Sequence, residues 1–138
     1  MNCVFCREIG GEELYRNGLF RVVLADEPDF PGFLRLILNR HQTEMTQLSE
    51  EERGQIMAAL WGLEASLHEV MKPSKVNIAS LGNMTPHIHW HVIPRYRDDA
   101  YFPGSVWSVR LRDVDEVQLA ERRGLAAKLG PAITDRLS

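Results

Sequence analysis

The residues best equipped for chemistry lie in one stretch, Pro86-His87-Ile88-His89-Trp90-His91-Val92-Ile93-Pro94. Three of the chain's 5 histidines stand there at every second position, separated by large apolar residues. Strict alternation is the period of a β-strand. On a strand, His87, His89 and His91 share one face while Ile88, Trp90 and Val92 enter a core. Such residues suit a pleated, half-buried surface, and Pro86 and Pro94 fence the strand at both ends. Histidine works near neutral pH as base, acid, nucleophile or metal ligand. A strand face made of three histidines reads as a reaction site.

Geometry then divides the labour. Same-face neighbours on a strand stand roughly 6.5–7 Å apart, so His87 and His91 are separated by about 13 Å. A metal ion holds imidazole nitrogens at about 2.0–2.1 Å. One ion therefore cannot take all three, although a neighbouring pair can converge.

A second constellation opens the chain. Cys3-Val4-Phe5-Cys6 has three readings: half a zinc site, a redox pair, or two small apolar residues. The redox reading wants a thioredoxin-like βαβ pattern, which is not visible. The zinc reading needs two further ligands, and His41 and His87 are available.

The elements that position these groups follow from punctuation and period. After the Gly10-Gly11 turn, a strand over 13–16 and a second over 19–25 flank Asn17-Gly18, a hairpin signal. A loop rich in proline and acid, 26–32, leads to a third strand over 33–39 with apolar groups on both faces, the mark of a central strand. Ser49 and Glu52 form a capping box, and Ile56, Leu60, Leu63, Leu67 and Val70 recur at helical spacing. This predicts an amphipathic helix over 50–71, with His68 at its surface. A fourth strand, 75–81, precedes the histidine strand, and 115–129 reads as a second helix followed by a tail. Together these predict an α+β domain spanning residues 1–138: one antiparallel sheet of about five strands, a long helix on one face and a C-terminal helix.

Composition narrows the function. Hydrophobic residues at 44% and charged residues at 25% are ordinary globular values. A net charge of −3 argues against polymeric nucleic acid as partner, which needs a basic field. No stretch approaches the length of a membrane span, and no signal peptide is evident. With two cysteines, a reducing cytoplasm is expected.

His-Ile-His-Trp-His-Val-Ile resembles the histidine-triad motif of the HIT superfamily, His-φ-His-φ-His-φ-φ with φ apolar. The similarity runs from Cys3 to about Trp107, is carried mostly by residues 77–95, and points to the small bacterial HIT proteins. It implies the HIT fold, usually as a homodimer. It implies that Cys3, Cys6, His41 and His87 form a closed, structural Zn²⁺ site, since no position stays open for water. It also implies that Asp26 meets ribose hydroxyls, a plain turn acid being the alternative.

Two departures from the family pattern stand out. Phe33 replaces a histidine common in relatives, and a Gly-Gln-Ser or Gly-Gln-Thr phosphate element is absent. Asn83 and Thr85 are the available substitutes, with Asn77 a further candidate. Arg95 and Arg97 add positive charge suited to phosphate. Phe102, Pro103 and Trp107 resemble the segment that closes HIT pockets; Trp107 also suits a core or an interface.

On this reading His89 is the nucleophile at an α-phosphorus, His91 the general acid, and His87 a zinc ligand or an orienting group for His89. The expected activity is nucleotidyl transfer from a nucleoside phosphoramidate, acyl-nucleotide or dinucleoside polyphosphate to water. The alternatives are a phosphorylase or transferase and a non-catalytic nucleotide-binding module.

Overall fold

The structure is a computed structural model in which residues 2–138 are described. In chain order the elements are α1 (Val4–Arg7), β1 (Glu12–Arg16), β2 (Phe20–Leu24), β3 (Leu34–Leu38), α2 (Glu50–Met71), β4 (Lys75–Ala79), β5 (His89–Arg95), α3 (Glu116–Ala126) and α4 (Leu129–Leu137). The five strands form one antiparallel sheet in the order β1-β2-β3-β5-β4. The predicted α+β architecture is therefore the observed one, with β3 central.

Strand parity separates the two sheet faces. Leu34, Leu36 and Leu38 of β3, with Phe20 and Val22 of β2 and Val92 of β5, pack against Ile56, Leu60, Leu63 and Leu67 of α2. Each such leucine withdrawn from water contributes about 1.5–3 kcal/mol, which fixes the helix on this face. The Ser49 hydroxyl accepts from the Glu52 N–H while the Glu52 carboxylate accepts from the Ser49 N–H. That reciprocal cap is why α2 begins at the predicted residue. Met71, not Val70, completes its buried stripe.

The other face carries odd-numbered β5 residues and two separate covers. Cys3 and Phe5 of the N-terminal hook lie over Val23 and Ile37. Phe30 lies over Ala25, Phe33 and Ile93, with Tyr101 and Val106 at its margin. Gly32 enters β3 with φ +89°, and a Cβ there would collide with the Met71 sulfur.

Two expectations need correction. The paired part of the histidine strand starts at His89 and includes Pro94, which pairs with Val76 of β4. Its missing N–H is tolerated because β3 ends opposite Val92. The predicted C-terminal helix and tail are two helices, divided at Ala127 and Lys128. Gly130-Pro131 falls in the first turn of α4, where proline is tolerated, so it marks a start rather than an end. The Asn17-Gly18 hairpin forms without a positive φ at either residue: the Asn17 side chain accepts from the Leu19 and Phe20 N–H groups. The former tail docks on the sheet edge, where Tyr15 donates to the Leu137 carbonyl at 2.9 Å.

Candidate active site and metal cluster

The three histidines divide by hydrogen bonding. The Nε2 of His87 lies 2.7 Å from the carbonyl of Leu38, and the Nδ1 of His89 lies 2.7 Å from the carbonyl of His87. A carbonyl only accepts, so His87 carries its proton on Nε2 and His89 carries its proton on Nδ1. His87 thereby presents an Nδ1 lone pair and His89 an Nε2 lone pair. One residue type, two positions apart, is set in opposite tautomers.

The free nitrogen of His87 faces the N-terminal cysteines. It lies 3.3 Å from Cys3 Sγ, 3.6 Å from Cys6 Sγ and 3.2 Å from His41 Nδ1. Cys6 Sγ lies 3.4 Å from His41 Nδ1, and all four candidate ligand atoms fall within 4.8 Å of one another. A tetrahedral zinc with its usual bond lengths separates two nitrogens by about 3.3 Å and a sulfur from a nitrogen by about 3.6 Å. The cluster matches that template and could hold a metal ion. Arg21 secures the hook that carries the cysteines by donating to the carbonyls of Phe5, Glu8 and Ile9 at 2.7–3.0 Å.

Along the reaction face the rings form a row. Phe5 stands edge-on to His89 at 4.9 Å, His89 to His91 at 4.9 Å, and His91 to Trp107 at 5.0 Å. Phe33 stands 5.6 Å from His91 at 85°, so an aromatic wall occupies the position where a further histidine was noted as missing. His89 and His91 are both buried. Burial lowers the basicity of His89, against the opposing pull of the His87 carbonyl. Burial, then neighbouring His89 and Arg35, pushes His91 down to about 4, and its Nδ1 is buried without a hydrogen-bond partner. Both imidazoles are neutral near pH 7.

The other predicted residues scatter. Asn83 is exposed and lines a cavity of about 360 Å³ together with Ser80, Glu44, His87 and His89, so it reaches the site. The carbonyl of Thr85 accepts from the His87 N–H. Asp26 is exposed and lines a separate cavity of about 630 Å³ with Glu12, Leu24, Arg123 and Ala126, none of them a triad residue. Trp107, half-exposed, reaches His91 within the same chain.

Arg95, read from sequence as a phosphate contact, is corrected. It is 2% exposed and spends its donors on protein: Asp99 at 2.8 and 3.0 Å, Asn77 at 2.8 Å and the Gly104 carbonyl at 2.8 Å. Asn77 accepts that bond through its side-chain oxygen. A buried guanidinium needs such partners. Asp99 in turn accepts from the N–H groups of Tyr96, Tyr101 and Phe102, folding residues 96–104 into the second cover.

Arg35 was missed. It pairs in register with His91 and lies on the histidine face. The available signal was an arginine inside a central strand, in the sequence row Phe33, Arg35, Ile37.

A family model described as HIT domain matches residues 7–98. The AP-4-A phosphorylase of Mycobacterium tuberculosis is 29% identical over 93 residues, covering 63% of this chain and 48% of that protein. The asymmetrical bis(5'-nucleosyl)-tetraphosphatase of Schizosaccharomyces pombe is 25% identical over 96 residues, covering 66% and 53%. The chain thus spans about half the length of these curated relatives. Among solved structures, a histidine triad protein from Marinobacter aquaeolei has TM-score 0.73 at 27% identity, covering 93% of this chain and 92% of that one. A Zn-bound histidine triad family protein from Mycobacterium smegmatis has TM-score 0.66 at 24% identity, covering 98% and 95%, a likeness of fold. With two thirds of its length matched by the family model and the alternating histidines on one strand face, the chain belongs to the HIT family.

Proposed function

We propose that this chain is a nucleotide hydrolase or nucleotidyl transferase working at the α-phosphate through a covalent nucleotidyl-histidine. The observation that carries the reading is the tautomer of His89: its Nδ1 proton is engaged by the His87 carbonyl, leaving the Nε2 lone pair for attack. Attack by Nε2 forms an N–P bond while the bond to the leaving group breaks. Water then takes the nucleotidyl group and His89 is restored.

His91 stands beside His89, placed to give a proton to the leaving group or take one from water. Held neutral, it needs the negative charge of a bound phosphate before it can act as an acid. Asn83 and the loop around Gly82 supply donors for phosphoryl oxygens, and Trp107 a platform beside His91. The relatives named for AP-4-A and for bis(5'-nucleosyl) tetraphosphate support a small nucleotide as substrate. The first of them, named a phosphorylase, favours a second acceptor: phosphate in place of water.

The metal is zinc on this reading, held by Cys3, Cys6, His41 and His87. It supplies a structural cross-link between the N-terminal hook and the triad strand. The 138 residues act as one domain in the cytoplasm, paired with a second copy through the exposed Trp107, Val109 and Leu111.

Intact-protein mass after a rapid, acid-free quench with an adenosine phosphoramidate or a dinucleoside polyphosphate tests the intermediate. One nucleotidyl group on the wild type and none on His89→Ala is the expected result. No adduct and no released nucleotide, despite nucleotide binding, would move the reading to a binding module. Adding inorganic phosphate and analysing the products decides between hydrolysis and phosphorolysis.

A further inference from the structure

Arg35 differs from the chain's other sheltered arginines. Arg21 donates at 2.7, 2.8 and 3.0 Å, Arg95 makes four bonds of 2.8–3.0 Å, and Arg122 pairs with Asp98 at 2.6 Å while stacked on Tyr96. Arg35, with its side chain 23% exposed, reaches the Gly10 carbonyl at 3.5 Å and Glu27 at 3.7 Å. Its guanidinium also stands 5.4 Å over the Phe33 ring, and among the described residues it has no shorter polar contact. The Glu27 side chain is 40% exposed on the loop after β2, a counter-ion that a ligand can displace. A half-buried guanidinium with unspent forked donors favours an anion with several oxygens.

Its position says which part of a substrate it would meet. Arg35 lies opposite His91, one pleat along from the nucleophile His89, on the floor between the two covers. His91 is the group beside the leaving atom. An amine leaves only after gaining a proton, whereas a polyphosphate leaves as a stable anion. A neutral imidazole next to a spare cation suits the second case.

We propose that Arg35 is a specificity-determining residue that binds an anionic polyphosphate leaving group, selecting nucleosides whose α-phosphate is linked to further phosphates over those linked to an amine. The inference rests on the nucleotidyl-histidine reading. In the first step the His89 Nε2–P bond forms and the P–O bond to the polyphosphate breaks. The electron pair goes to the departing oxygen, whose charge Arg35 shares. In the second step water attacks phosphorus, the N–P pair returns to His89, and the proton of water passes to His91 or to solvent.

The test is kcat/KM for diadenosine tetraphosphate and for adenosine 5'-phosphoramidate in the wild type, Arg35→Gln and Arg35→Lys. Arg35→Gln is expected to lose about 100-fold on the tetraphosphate and to stay within about threefold on the phosphoramidate. Arg35→Lys, which keeps the charge and guards against loss of fold, restores part of the difference. Equal losses on both substrates, or none on either, overturn the proposal. Calorimetric binding of tripolyphosphate needs no turnover and separates the two levels. Binding that weakens in Arg35→Gln, in a protein that cleaves neither substrate, supports the anion subsite and discards the nucleotidyl-transfer reading. Binding indifferent to Arg35 overturns the subsite, whatever is cleaved.

Discussion

The two covers of the histidine face do the same mechanical job with different chemistry. At one end, residues 3–6 bring Phe5 to within 4.9 Å of His89; at the other, residues 96–107 bring Trp107 to within 5.0 Å of His91. The first cover meets the triad strand through two sulfurs and two imidazoles, an arrangement that could hold a metal ion. The second is tied by the Arg95–Asp99 pair, buried and complete within the protein. A site flanked this way has one edge built from metal-ligating, oxidisable groups and one edge held by an ion pair within the protein.

The sharpest way to break the second cover is Arg95→Met. Removing one partner of a buried pair strands the other, and a loss of about 3–5 kcal/mol in urea unfolding is expected. The double variant Arg95→Met/Asp99→Leu should recover little of it, because Asp99 also holds three backbone N–H groups. Full recovery would show that the pair, not the Asp99 hub, is the tie.

For the first cover the lever is metal. Saturating zinc at 100–1,000 times its Kd should stabilise the chain by about 3–4 kcal/mol, a gain abolished by chelator and absent in Cys3→Ser. Limited proteolysis should then cut near the N-terminus and spare residues 96–107. Equal exposure of both ends on chelation would erase the contrast.

The smallest effect is a pH dependence at the second end. His91 sits at about 4, below its ordinary 6.5, chiefly through burial. The unfolded chain therefore takes up that proton first. The His91 contribution to stability is fully present above pH 6.5 and is lost as pH falls through about 4. Burial alone would raise Asp99, but the Arg95 bond and backbone N–H groups outweigh it, so its contribution is lost only below its ordinary 3.8. His91→Phe should flatten the fall in urea midpoint above pH 4 and leave the steeper loss below it. Identical profiles in both proteins would place the titration elsewhere.

Local signals were enough for much of this. The Ser49–Glu52 box and the apolar spacing define α2 to the residue, and alternation alone assigns His89, Trp90 and His91 to their faces. The four metal-cluster residues were legible through the family resemblance. Charge beside the motif misled at Arg95, because nothing in the residues around it shows that Asp99, Asn77 and Gly104 fold back to consume it. Arg35 was overlooked for the converse reason. Its strand has apolar residues on both sides, and only the pairing with His91 says which side the guanidinium takes.

The sequence by itself determined the secondary elements, the shared face of the histidines and the residue types available for chemistry, since each depends on period and propensity over a few neighbours. The tertiary structure decided which nitrogen of each histidine is free. Leu38, 49 residues from His87, claims one proton, and the His87 carbonyl claims the next. Identical side chains on one strand carry the same local signal, so only the carbonyls packed against them decide which nitrogen each one presents.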